Sequence, residues 1–97
     1  MKKFMLLYSG PATGPDASHA GWPEWFQKVG DNLVDKGSPM MHGLTVRPSN
    51  ASESVAPFNG YSIIQAEDSD AATALAAQHP YVALGDQYRI EMFEIKS

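Results

Sequence analysis

The last third of the sequence changes its hydrophobic pattern twice, from strand to helix and back to strand. Residues 60–66 are rich in β-branched and aromatic side chains, which suit the pleated surface of a strand. Alanine dominates residues 71–77, as in a closely packed helix, and Pro80 then ends that helix. Residues 88–95 are again strand-like. This order predicts a helix that carries the chain back across a sheet, as in α/β and α+β domains.

The first third predicts a strand followed by an amphipathic helix. Residues 3–9 form the strand, and its apolar side chains alternate onto both faces. A loop rich in proline and glycine follows at 10–20. The helix then shows apolar residues at i, i+3, i+4, i+7 and i+11, namely Trp22, Trp25, Phe26, Val29 and Leu33. We expect Gly37 to end this helix and Gly30 to mark a close packing contact.

The middle of the chain predicts a second strand and a long loop. Residues 40–47 alternate, so that His42 shares a face with apolar neighbours, and residues 48–59 are rich in Ser, Pro and Asn without periodicity. The predicted order is therefore β-α-β-β-α-β, a ferredoxin-like α+β fold with an antiparallel sheet and helices on one face. Because several strands are apolar on both faces, we expect a second copy to cover the open sheet face and form a homodimer.

Composition excludes several classes of function. The 97 residues suit a single domain that spans the whole chain, and the absence of cysteine excludes disulfides and thiolate chemistry. A net charge of −4 with seven scattered Lys and Arg residues argues against nucleic acid and against an acidic membrane surface. The apolar run after Met1 is shorter than a secretory signal, which favours a cytoplasmic protein.

Several short motifs together give the chain a resemblance to a known family. The set begins with the run from Met1 to Tyr8 and ends with Ile90-Glu91-Met92. Between them lie Trp22-x-x-Trp25-Phe26, Gly37-x-Pro39, Gly60-Tyr61-Ser62-Ile63, Ala66-x-Asp68-Ser69 and His79-Pro80. In this order the motifs resemble the YciI-like, or YCII-related, domain family over nearly the whole chain.

The resemblance implies a fold, an assembly and a class of site. It implies a dimeric α+β barrel, in which two ferredoxin-like sheets pack face to face, with a ligand cleft between sheet and helices or at the dimer edge. Some relatives are implicated in dehydrochlorination, with a proposed catalytic His–Asp pair. This chain departs from that pattern: Trp25 and Phe26 lie near the position of the family histidine, and His79 stands in place of the aspartate.

His79, at the end of the second predicted helix, is a candidate general acid or base. The helix dipole at this position predicts a raised pKa for its imidazole. The alternative is a residue that ends the helix by bonding to the last carbonyl groups. Asp86, in a short Gly-Asp turn, either orients this imidazole or simply forms the turn.

His42 is the second candidate acid or base. On an apolar face its imidazole needs a partner, so it is either a hydrogen-bonded core histidine or a catalytic group in a pocket. No His-x-His or similar spacing indicates a metal site, and we expect no metal.

Aromatic residues supply candidate ligand contacts. The stripe that contains Trp25 either belongs to the core or lines a pocket for a flat molecule. The phenols of Tyr8, Tyr61 and Tyr81 either add hydroxyl groups to that cleft or pack with one end in water.

The resemblance implies a YCII-related protein, and we expect it to bind a small aromatic-derived or lactone-like molecule. One possibility is a cofactor-free enzyme that catalyses elimination or isomerisation with His79 or His42 as base. Another is a non-catalytic module that binds a metabolite. A cofactor-free monooxygenase or a haem-binding protein is a further alternative, because both occur on similar dimeric barrels. No phosphate loop and no flavin or nicotinamide fingerprint is present, so we expect no cofactor.

Overall fold

The computed structural model describes residues 1–10, 21–40, 43–54, 56 and 58–96. Six strands and two α-helices are described: β1 (Lys2–Ser9), α1 (Trp22–Val29), β2 (Leu33–Pro39), β3 (Leu44–Val46), β4 (Ala51–Glu53), β5 (Phe58–Ala66), α2 (Ser69–Ala77) and β6 (Arg89–Ile95). Short 3₁₀ helices cover Gly30–Asn32 and Pro80–Leu84. The prediction of an α+β fold with an antiparallel sheet and two helices is confirmed.

Four of the strands form the main sheet. Their order is β2-β5-β1-β6, and each neighbouring pair is antiparallel. The central strands β1 and β5 pair along their whole length, from Lys2 opposite Ala66 to Tyr8 opposite Gly60. The remaining strands, β3 and β4, form a separate two-stranded hairpin.

The core lies between one face of the sheet and the two helices. Phe4, Leu6 and Tyr8 alternate along β1 onto the buried face, as predicted. They belong to one cluster with buried residues of both helices, which are Trp25, Val29, Ala72 and Ala76. On the other face of β1, Met5 and Leu7 are only half-buried. Both helices therefore cover the same face of the central strand.

The second helix begins and ends close to its predicted limits. Asp68 caps it, because its Oδ1 accepts a hydrogen bond from the N–H of Ala71 at 2.8 Å. The helix ends at Ala77, three residues before Pro80. The closing strand is also confirmed, at Arg89–Ile95.

The first helix is shorter than predicted, and the continuation of its pattern to Leu33 was misleading. Gly30 ends α1 with φ 56° and ψ −123°, a backbone conformation that L side chains rarely adopt. A Cβ at Gly30 would meet no described atom within 4 Å, so the prediction of a close packing contact there is wrong. Leu33 begins β2, where it lies opposite Ile64 of β5.

Gly37 lies in a strand instead of at a helix end. Its φ is 76°, and a Cβ there would lie 1.6 Å from the carbonyl oxygen of Tyr61. The carboxylate of Asp35 accepts the Gly37 N–H at 2.8 Å inside an irregular stretch of β2. Glycine is required because the backbone of the neighbouring strand passes too close for any side chain.

The predicted strand at 40–47 and the loop at 48–59 are correct only in part: Leu44–Val46 is a strand, but Ala51–Glu53 forms a strand inside the predicted loop. Residues 41, 42, 55 and 57 lie outside the described residues. Residues 33–39 form the strand that pairs with β5, and Leu44–Val46 pairs instead with Ala51–Glu53. A turn between Arg47 and Asn50 joins the two strands of this hairpin, with the Arg47 N–H donating to the Asn50 carbonyl at 2.7 Å. The polar composition of residues 51–53 concealed a strand that is exposed along its whole length.

Candidate functional site

His79 lies where three parts of the chain meet. It follows α2 and immediately precedes the 3₁₀ helix Pro80–Leu84, and only 1% of its surface is exposed. Its Nδ1 accepts a hydrogen bond of 2.9 Å from the backbone N–H of Tyr81. Its side chain therefore caps the start of the 3₁₀ helix and does not bond to the carbonyl groups that end α2.

The predicted direction of the His79 pKa shift is wrong. Burial lowers the pKa to about 4, because the charged imidazolium loses its hydration in the core. The structure provides no compensating carboxylate: no ion pair or hydrogen bond joins His79 to an acidic residue in the described part of the chain. His79 is neutral at pH 7.

Aromatic rings enclose the imidazole of His79. The ring centroids of Trp22 and Trp25 each lie 4.5 Å from that of His79, and the centroid of Tyr8 lies at 4.8 Å. The Trp22 ring meets the imidazole nearly edge-on, at 81°. This cluster joins β1, α1 and the segment after α2, which explains why so little of His79 is exposed.

Tyr8 is fixed by two linked hydrogen bonds. Its hydroxyl donates to the Oγ of Ser62 at 2.6 Å, and that Oγ donates to the Lys36 carbonyl at 2.7 Å. Burial raises the pKa of Tyr8 to about 12, although the bond to Ser62 acts in the opposite direction. The Tyr8 phenol is therefore a structural donor inside the core.

Trp25 and Tyr81 are also core residues. Trp25 Nε1 donates to the Leu75 carbonyl at 2.9 Å and so ties α1 to α2. The hydroxyl of Tyr81 accepts a hydrogen bond of 3.0 Å from Nδ2 of Asn59, which also donates to the Gly10 carbonyl at 2.9 Å. Of the two interpretations of the tryptophan stripe, the core interpretation describes Trp25, which is 2% exposed.

The remaining predicted site residues do not join this cluster. Tyr61 is half-buried, and strand alternation places it on the sheet face opposite to that of Ser62 and Tyr8. Asp86 is exposed in the turn before β6, and within the described residues no hydrogen bond connects it to His79. His42 lies outside the described residues.

An open groove of about 460 Å³ runs between α2, the 3₁₀ helix and the edge strand β6. Apolar side chains dominate its lining, with Asp86 as its acidic residue. The lining residues are Thr73, Ala76, Ala77, Val82, Gly85, Asp86, Tyr88, Arg89, Ile90 and Met92. Arg89 also forms an ion pair with Glu91, at 2.6 Å between Nε and Oε2. The volume lies within the range of small-molecule sites, about 300–1,000 Å³.

Sequence reasoning missed Ser62, Asn59 and most of the groove. The alternation of β5 does place Ser62 on the buried face with Ile64, so its polarity was an available signal for a buried hydrogen bond. No such signal marks the groove, because Val82, Ile90 and Met92 read as ordinary packing residues in the sequence.

Comparison of the chain with protein-family models, with curated proteins and with solved structures finds no match. Within the described ranges no helix is long and apolar enough to cross a membrane. The same residues contain no group of three His, Asp or Glu side chains that could hold a metal ion.

Proposed function

We propose that this chain is a YCII-related, ferredoxin-like protein of the dimeric α+β barrel type, which binds a small apolar molecule in the cytoplasm. The sheet order β2-β5-β1-β6, with antiparallel neighbours and two helices against one face, supports the fold assignment. The observation that carries the functional proposal is the groove between α2 and β6.

The proposal of a homodimer rests on the sheet face opposite the helices. Met5 lies between Ile63 and Phe93 in the register of the three strands, and Leu7 lies beside Tyr61. Phe93 is 55% exposed, although it is a large apolar residue. A second copy packed against this face would remove the row of apolar side chains from water.

The groove suits a flat apolar ligand. Ile90 and Met92 project from β6 toward the helical layer, and Val82 belongs to the opposite wall. Tyr88 adds an aromatic ring on which a planar molecule can stack. Asp86 offers a carboxylate at the turn, where a ligand hydroxyl or amine can donate to it.

Binding without histidine catalysis is the function that this geometry supports best. General acid–base catalysis needs a group within hydrogen-bond reach of the substrate, about 2.6–3.2 Å. His79 does not line the groove, and its Nδ1 is occupied by the Tyr81 N–H. A ligand in the groove would therefore meet mainly hydrophobic contacts, with Thr73, Asp86 and Arg89 as the polar lining residues.

The test uses ¹⁵N-labelled protein and a panel of lactones and aromatic carboxylic acids. We expect at least one compound to shift the amide resonances of Ala77, Val82 and Met92. Substitution of Ala77 by Phe fills the groove and should weaken binding at least tenfold. Ala74→Phe is the matched control, because Ala74 is an exposed alanine of the same helix that does not line the groove.

Two results would contradict this proposal. The first is a panel in which no compound shifts groove resonances. The second is a bound compound whose affinity falls equally in the Ala74→Phe and Ala77→Phe proteins, since its site would then lie elsewhere. Conversion of a bound lactone to product, with loss of turnover in a His79→Asn protein, would instead support the acid–base enzyme.

A further inference from the structure

The imidazole of His79 has a defined protonation pattern when it is neutral. Nδ1 accepts the Tyr81 N–H and so carries no proton, which leaves the proton on Nε2. Nε2 is buried and has no hydrogen-bond partner among the described residues. The rings of Trp22 and Trp25 lie close to the imidazole, each with its centroid 4.5 Å from that of His79.

A second proton has one place to bind, and that place is Nδ1. Once protonated, Nδ1 becomes a donor that points at another donor, the Tyr81 N–H 2.9 Å away. The hydrogen bond that caps the 3₁₀ helix is then lost, and two N–H groups oppose each other in a buried site.

The capped segment forms one wall of the groove. Val82 lies in the 3₁₀ helix and lines the groove, and its N–H donates to the His79 carbonyl at 3.3 Å. Tyr81 packs edge-on against Tyr88, which also lines the groove, with ring centroids 5.3 Å apart. Loss of the cap at His79 therefore releases a segment whose position shapes the groove.

We propose that His79 is an acid-sensitive latch, which holds the 3₁₀ helix Pro80–Leu84 against the core at neutral pH and releases this wall of the groove when Nδ1 is protonated. This response of the 3₁₀ helix to protonation of His79 does not require a bound ligand. Its consequence, weaker ligand binding at acid pH, rests on the function proposed above.

The surroundings of His79 favour such a response. The titratable groups that contact its ring are the phenols of Tyr8 and Tyr81, which are contributed by β1 and by the 3₁₀ helix. The helix α1 presents the uncharged rings of Trp22 and Trp25, and its charged residues Glu24 and Lys28 are exposed. In the described part of the chain no carboxylate contacts the imidazole to stabilise an imidazolium.

The first test uses the unmodified protein at pH 7. Nitrogen NMR of the imidazole side chains should show His79 with its proton on Nε2 and an unprotonated Nδ1. A proton on Nδ1 at neutral pH would overturn the proposal, because the capping bond would then have no acceptor. This measurement needs no variant and no ligand.

The second test follows amide resonances from pH 7 to at least one pH unit below the His79 pKa of about 4, so that the whole transition is observed. The Tyr81, Val82 and Tyr88 amides should move with one midpoint, the same as that of the His79 ring. In a His79→Asn protein this shared transition should disappear, because the Asn side-chain oxygen accepts the Tyr81 N–H and does not titrate. Titration of His79 without movement of these amides, or the same movement in the Asn protein, would overturn the latch.

A ligand titration separates the latch from the proposed function. A lactone or aromatic acid that binds at pH 7 should bind at least fivefold more weakly below the His79 midpoint, and equally at both pH values in the Asn protein once the ligand's own ionisation is subtracted. If no compound binds at any pH while the amide transition occurs, the latch stands and the groove function fails. If a compound binds and the amide transition is absent, the groove function is supported and the latch is refuted.

Discussion

The Tyr8 hydroxyl donates a buried hydrogen bond of 2.6 Å to Ser62, which joins the two central strands of the sheet. The Ser62 hydroxyl in turn donates a hydrogen bond to the Lys36 carbonyl in the edge strand β2. One hydroxyl thus connects three strands. Because β1, β5 and β2 are separate in sequence, this contact tests whether the central sheet is assembled as described.

Substitution of Ser62 should lower the free energy of unfolding more than removal of the Tyr8 hydroxyl does. Tyr8→Phe deletes one hydrogen bond, worth about 1 kcal/mol of unfolding free energy. Ser62→Ala breaks two bonds and leaves the Tyr8 phenol without its acceptor, which costs about 2–3 kcal/mol. Urea denaturation measures both changes, with Ser52→Ala in the exposed strand β4 as control. Equal costs for the two core variants would contradict the hydrogen-bond chain.

Two glycines in the first half of the chain should respond differently to alanine. Gly30→Ala meets no described atom and should cost about 1–3 kcal/mol, through its unfavourable backbone angles alone. Gly37→Ala would place a Cβ 1.6 Å from the Tyr61 carbonyl oxygen, so β2 must move away from β5. We expect a greater loss of stability for Gly37→Ala, measured by thermal unfolding. A larger loss at Gly30 would argue against the position of β2 beside β5.

The sequence predicted those elements whose pattern is complete within a single segment. Alternation in residues 3–9 and the alanine run at 71–77 indicated β1 and α2 near their observed limits. Leu33 misled the prediction, because it continues the helical spacing of Trp22 and Trp25 although it begins a strand. Only the pairing of Leu33 with Ile64 distinguishes the two cases, and that pairing is a long-range contact.

The burial of His79 likewise required tertiary structure. The sequence places it after a helix and before Pro80, where the helix dipole predicts a raised pKa. Tyr8 and Trp25 enclose its ring from segments that lie more than fifty residues earlier. Local spacing carries no information about that convergence, so the environment that lowers the pKa was not predictable.

The stability of the protein should depend on pH through His79. Its pKa is about 4 in the folded chain against an ordinary value of 6.5, so the unfolded chain binds a proton first as the pH falls. Neutral His79 therefore adds its full contribution to the free energy of unfolding above pH 6.5. This contribution is lost between pH 6.5 and about 4, by up to about 1.4 kcal/mol per pH unit.

Urea denaturation at several pH values between 4 and 7 measures this dependence. The His79→Asn protein is the control, because all carboxylates are common to both proteins. As the pH is lowered through this window, we expect the free energy of unfolding to fall more steeply for the unmodified protein than for the His79→Asn protein. Parallel curves would show that His79 is not buried in its neutral form.

The proposed homodimer predicts a specific response on the open sheet face. Phe93→Lys places a charge in the exposed apolar row beside Met5, and should convert a dimer to a monomer. Val46→Lys, in the separate hairpin, is the control because Val46 is even more exposed, at 77%. Light scattering coupled to gel filtration gives the mass of each protein. A monomeric parent protein would refute dimerisation through this face.

We propose that the groove between α2 and β6 holds the ligand, and intermolecular nuclear Overhauser effects locate a bound molecule against the protein atoms it contacts. The measurement uses protein with labelled methyl groups and the tightest-binding lactone or aromatic acid from the panel. Ligand protons should show contacts with the methyl groups of Val82, Ile90 and Met92 in the groove. Contacts confined to Met5 and Ile63, on the opposite sheet face, would contradict the claim and place the ligand site elsewhere.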